Sequence, residues 1–330
     1  MLNWLSHLRQ ADFILVACHS QGVPVAISLI AKLIHLGCLS SNARIGVCAM
    51  AGINLGPFLE YKSRLFGGSA LELFDFCDSN SKVSRAYADA LDVCLRHGVR
   101  VTYVGSLDDQ LVSLESSLHT PLAHPYVNRG LFVDGRVHAP NFLTHLLVFA
   151  IKLRNLGVPD HGLIRELSAP LAGSLVGGEG HSRVYDDPAV YRLAIDFALE
   201  SSNAAAPAAA PSPSPSKDTS AFDRRSGAAS YPSSTAAANS MRRGTLSESG
   251  ASLPGIGAVI APYQPPPNAA NANPFYLPWA VRGMLEEELV KGEMMQEVRE
   301  LVGEFEEWKP TSKGLRDVKW RLEAVKGMVQ

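Results

Sequence analysis

The sequence predicts an α/β fold: a mostly parallel sheet with flanking helices, then a low-complexity insert and a C-terminal helical segment. Three observations carry this. Over residues 1–200, strand-length apolar runs alternate with longer helical patterns, the order that builds a parallel sheet. Residues 201–274 turn to Ala, Ser, Pro and Asn, a composition that buries too little apolar surface to offset its ordering entropy, so disorder is expected there. Residues 275–330 recover aromatic and charged residues. Within them Val298, Leu301, Val302 and Phe305 stand at the spacing of one helical face, expected to pack on the core.

The elements follow in order. Trp4, Leu5 and Leu8 mark a short amphipathic segment. Asp12–Cys18 is a buried strand, and Val23–Leu36 an apolar helix that Gly37 ends. Arg44–Met50 is the second strand. Pro57–His97 reads as irregular and partly helical. Val99–Val104 is a third strand and Gly130–Asp134 a fourth, followed by an apolar helix over Asn141–Asn155. Asp187 and Pro188 have the N-cap and first-turn character that would open a helix over Ala189–Leu199.

The bulk numbers narrow the function classes. The chain has 330 residues, 46% hydrophobic and 19% charged, with a formal net charge of −2. That balance gives no electrostatic reason to expect nucleic acid or an anionic membrane as a partner. The five cysteines (Cys18, Cys38, Cys48, Cys77 and Cys94) contain no CxxC pair and are read as reduced core residues. No run approaches membrane-span length and no signal peptide is evident, which points to the cytoplasm. No His, Asp or Glu cluster has metal-ligand spacing, and the lone glycines Gly52 and Gly56 are poor grounds for phosphate binding, so no cofactor is expected. Arg242-Arg243-Gly244-Thr245 resembles a basophilic kinase site.

The chemistry concentrates where the first strand meets the first helix, at Cys18-His19-Ser20-Gln21-Gly22. A Gly-x-Ser-x-Gly turn of this kind projects a serine hydroxyl from a sharp strand-to-helix corner. Gly22 fits the pattern, and Cys18 departs from it with a small side chain. The helix N-terminus behind Ser20 offers N–H groups to a developing oxyanion, the Gln21 N–H among them. The bland alternative is a serine that merely begins a helix. A serine nucleophile needs a base and an orienting acid, in the chain order Ser, acid, His. Asp108 and Asp109 follow the third strand at the sheet edge where sites form. Asp109 is preferred, and its neighbour reads as a turn cap. Two histidines compete for the base. His138 sits just past the fourth strand and before a helix, and is preferred on topology. His181 has a Gly-His context but no strand before it. His19 reads as a packing or hydrogen-bonding neighbour.

The elbow, the stretch from Gly105 to Val112, the stretch from Gly178 to Pro188 and the segment Leu277–Gly283 together resemble a fungal family of α/β-hydrolase-domain proteins. The resemblance implies a serine-hydrolase reaction class, and analogy with lipase and lipid-deacylase domains suggests a carboxylic ester, with lipid acyl groups the natural guess. One departure stands out. That fold places further strands, and a loop supplying a second oxyanion donor, before the elbow strand. Only one strand precedes Ser20, so the chain reads as N-terminally truncated, and loss of one such donor costs about 10²–10³ in rate. Two expectations follow. One is a serine ester hydrolase with Ser20 as nucleophile, His138 as base and Asp109 as orienter. The other is a catalytically silent hydrolase fold used as an interaction scaffold.

Overall fold

A computed structural model describes residues 3–40, 42–59, 71–173, 179–200, 259–260 and 273–328. The low-complexity stretch 201–258 and its candidate phosphorylation site at Thr245 lie outside the described residues.

A short helix α1 (Asn3–Gln10) leads into β1 (Phe13–His19), which is followed by α2 (Gly22–His35) and β2 (Arg44–Met50). A 3₁₀ turn over Glu72–Cys77 and helix α3 (Lys82–Arg96) come next, then β3 (Arg100–Ser106), the single-turn α4 (Leu114–Ser117), β4 (Leu122–Ala123) and β5 (Val127–Phe132). β1, β2, β3 and β5 form one parallel sheet in that spatial order. β1 pairs with β2 from Phe13↔Arg44 to His19↔Met50, which brings the two strand ends to the same edge. β1 is an outer strand of this sheet among the described residues, and Phe13–Val16 are half-buried.

Side-chain alternation assigns the two faces. Val47, Ala49, Val101 and Tyr103 pack with Ile27, Leu91 and Leu95 of α2 and α3. Cys48, Met50 and Val104 point the other way, onto Val190 and Ala194 of helix α8 (Pro188–Leu199). Both faces are covered, which is why the strands read as continuous apolar runs. Helix α3 carries Tyr87, Leu91, Cys94 and Leu95 at helical spacing and is capped by Ser81, whose hydroxyl accepts from Ser84 N. With the Glu72–Cys77 turn it is the helical part of Pro57–His97, of which residues 60–70 lie outside the described residues.

Helix α5 (Phe142–Asn155) packs against β5 and opens on a capping box, Asn141 with Thr144. It is apolar nearly all round because its far side is covered as well. Helix α6 (Leu163–Leu171) and three C-terminal helices, α9 (Tyr276–Glu286), α11 (Met295–Glu307) and α12 (Lys313–Leu322), share one core with it; a short α10 (Glu288–Glu293) links the first two. Val298, Leu301 and Phe305 are the buried stripe of α11, and the Phe142 ring meets Phe305 at 5.0 Å and Trp308 at 5.3 Å. A two-stranded antiparallel ladder joins β4 to β6 (Val259–Ile260). No helix among the described residues is long and apolar enough to cross a membrane.

Candidate active site

β1 ends at His19, and α2 begins at Gly22, so Ser20 and Gln21 make the whole turn. Ser20 adopts φ +56°, a left-handed conformation rare for a residue with a side chain. Its N–H donates to the Met50 carbonyl at 2.9 Å, and its carbonyl accepts from Val23 N at 3.1 Å. These bonds hold a strained residue in place, as strained residues at functional sites require. Gln21 is the N-cap of α2, so its N–H belongs to the first donors of the helix, which have no intrahelical acceptor. Crowding falls elsewhere than the pattern suggested. A Cβ on Gly22 would meet nothing within 4 Å, whereas one on Gly52, from the loop after β2, would stand 2.9 Å from Val23 and from Asn54.

The serine hydroxyl is 2.9 Å from His181 Nε2. His181 Nδ1 is 2.9 Å from Asp109 Oδ2, and both side chains are buried. Asp109 Oδ1 accepts two backbone N–H groups, from Leu111 and Val112, each at 2.8 Å. A carboxylate so committed accepts the proton of Nδ1, which leaves the Nε2 lone pair to accept from Ser20 Oγ. The order along the chain is serine, aspartate, histidine.

The expectation that His138 faces Ser20 is corrected by this geometry. After β5 the chain turns at Asp134, which accepts backbone N–H bonds from Val137 and His138, and the imidazole is carried to Asp108, 3.0 Å from its Oδ2. His181 reaches Ser20 without any strand before it. It sits in a one-turn helix, α7 (Gly180–Arg183), docked on the loop after β3. Its N–H donates to Gln110 Oε1 at 3.0 Å, and Gly173 N donates to the Asp109 carbonyl at 3.1 Å. A Cβ on Gly173 or Gly180 would collide with the Asp108 carbonyl, so glycine is required at both contacts. The glycine before His181 was the readable signal.

His19 supports the site from the side. Its Nε2 donates to the His181 carbonyl at 2.8 Å, and its ring meets Tyr185 edge-on at 5.1 Å. Burial lowers its pKa, which favours the neutral ring. Burial also pushes the Cys18 thiol up to about 12 and the Cys48 thiol to about 11, so both stay protonated beneath the elbow. None of the five cysteines forms a disulfide.

A parallel sheet with a strained serine at the end of one strand, hydrogen-bonded to a histidine that an aspartate holds, defines an α/β-hydrolase-type domain. A family model for the YMC0/YMC35 alpha/beta hydrolase domain matches residues 1–219, and the chain belongs to that family. No curated protein and no solved structure matches the chain.

Proposed function

We propose that this chain is a serine hydrolase that cleaves carboxylic esters through an acyl-enzyme. The observation that carries the reading is the unbroken path from Ser20 Oγ through His181 to Asp109, with two contacts of 2.9 Å. Ser20 Oγ attacks the acyl carbon while His181 Nε2 takes its proton. Asp109 holds Nδ1–H in the productive tautomer and stabilises the imidazolium that forms. The tetrahedral oxyanion lies at the N-terminus of α2, where the Gln21 N–H is a donor. His181 then gives its proton to the departing alkoxide, and water releases the acyl group by the same steps in reverse order of roles. No metal or redox group takes part in this sequence of steps.

A fluorophosphonate probe tests the reading, since it labels only an activated serine. Wild type is expected to take up label, and Ser20→Ala to take up none. Equal labelling of the two would overturn the proposal and leave the scaffold reading in its place.

A further inference from the structure

Beside the elbow lies a groove of about 780 Å³, open to solvent on one side. It begins at Gln21 and Gly22 and runs between α2, the Glu72–Cys77 turn and α3. Its walls are apolar: Val25 from α2, Phe76 from the turn, Val83 and Ala86 from α3. Val25 is 66% exposed and Val83 36% exposed, and Ala86 is exposed too, so these side chains are not part of the core. The charged side chain on its wall is that of Lys82.

We infer that this groove binds the acyl chain of the substrate, and that the protein prefers esters of longer aliphatic acids over acetate; the inference rests on the hydrolase reading above. Three directions leave the acyl carbon once Ser20 has attacked. The leaving oxygen must lie near His181 Nε2, which stands 2.9 Å from Ser20 Oγ and protonates it. The oxyanion lies against the Gln21 N–H. The remaining substituent is the acyl chain, and the groove that starts at Gln21 is an apolar surface beside it among the described residues. An exposed apolar groove next to a nucleophile gains from each methylene it removes from water, up to about fourfold in kcat/KM per fully buried group.

p-Nitrophenyl esters of acetate, butanoate, hexanoate and octanoate vary this chain at constant leaving group. For wild type, kcat/KM is expected to rise from acetate to octanoate by about tenfold or more. Ala86→Trp, which fills the groove, and Val25→Asp, which places a charge in its wall, should bring the octanoate-to-acetate ratio to within about twofold of one. Both positions are exposed, so neither change disturbs the core. Leu29→Asp, one turn further along α2 and outside the groove, should keep the wild-type ratio. A flat wild-type profile with Ser20-dependent turnover would overturn the inference and leave the esterase standing. An unchanged ratio in both groove variants would do the same. Absence of any Ser20-dependent turnover would remove both.

Discussion

Asp108 and Asp109 are neighbours on the loop after β3, and each meets a histidine brought from a distant part of the chain. His181 and Asp109 are 2.9 Å apart, with side chains 7% and 2% exposed. His138 and Asp108 are 3.0 Å apart, with side chains 30% and 22% exposed. The separations are nearly equal, and the devices differ. Asp109 is fixed by two backbone N–H groups and its histidine reaches a serine hydroxyl, so the orientation of every member is determined. Asp108 accepts from the Ser106 hydroxyl at 3.2 Å, and its histidine contacts no nucleophile. His138 Nε2 makes no hydrogen bond despite that separation, and a partly exposed pair of this kind contributes little. Distance between a histidine and a carboxylate does not distinguish a pair aimed at a serine from a loop tie. Burial and a third partner do.

The comparison breaks most sharply at the histidines. His181→Ala is expected to lower kcat for ester hydrolysis by about 10⁴-fold or more, because no other imidazole among the described residues hydrogen-bonds Ser20 Oγ. A comparable loss in His138→Ala, with His181→Ala nearly unaffected, would reverse the assignment. Asp109→Asn should cost about 10³- to 10⁴-fold. Its carbonyl oxygen would keep the bonds to Leu111 and Val112, which turns its NH₂ toward His181 Nδ1 and drives the ring proton to Nε2. The crystal structure of that variant should show the same ring position with the activity gone.

Much of this arrangement was legible in the sequence, and the part that was not has a physical cause. Ser20 and Asp109 each follow a strand whose apolar run is local, so their places at the sheet edge could be read from the residues beside them. The helix over Pro188–Leu199 announced itself through Asp187, whose carboxylate accepts from Ala189 N at 2.8 Å. His181 had no such local frame. Its place depends on Gln110, Asp108 and Gly173, contacts that span about seventy residues in the first two cases and that no periodicity encodes. The start of β5 was misplaced for a related reason. The strand begins at Val127 instead of Gly130, and Arg129 is held there by Asn155, whose side chain bonds both the N–H and the carbonyl at 2.9 Å. A side chain from the following helix thus acts as a short piece of ladder. Cys18, Cys48 and Cys94 were correctly placed in the core by their apolar neighbours.

A third carboxylate sharpens what burial does when no such frame of donors surrounds it. Glu115 lies in α4, a few residues beyond Asp109, and burial pushes its pKa up to about 8, with Arg165 opposing the shift. The folded chain therefore holds this proton above the ordinary value of 4.5, where the unfolded chain has released it. Stability from this group is fully present below about pH 4.5 and is lost as pH rises towards 8. Glu115→Gln, which cannot ionise, should flatten that decline. Urea unfolding at pH 5 and pH 8.5 should show the variant gaining on wild type by on the order of 1–3 kcal/mol at the higher pH. Parallel profiles for the two proteins would show that Arg165 keeps the carboxylate ionised.

The smallest effect belongs to the pair that topology favoured. His138→Ala removes a half-exposed imidazole whose partner keeps the Ser106 hydroxyl, so kcat should fall by no more than about twofold to fivefold. Asp108→Asn should behave alike, and the double variant should be no worse than either single variant, since the tie is broken once. The readout that separates a tie from a second proton carrier is the rate of acylation compared with that of deacylation. If His138 only anchors its loop to the turn that bears Asp109, acylation and deacylation slow by the same small factor. If it relays protons, deacylation alone should slow, because water attacks only in that half. Pre-steady-state release of p-nitrophenol measures the two halves separately. A burst that grows in His138→Ala would move this histidine from the loop to the chemistry, and an unchanged burst leaves Asp109 and His181 as the pair that the serine depends on.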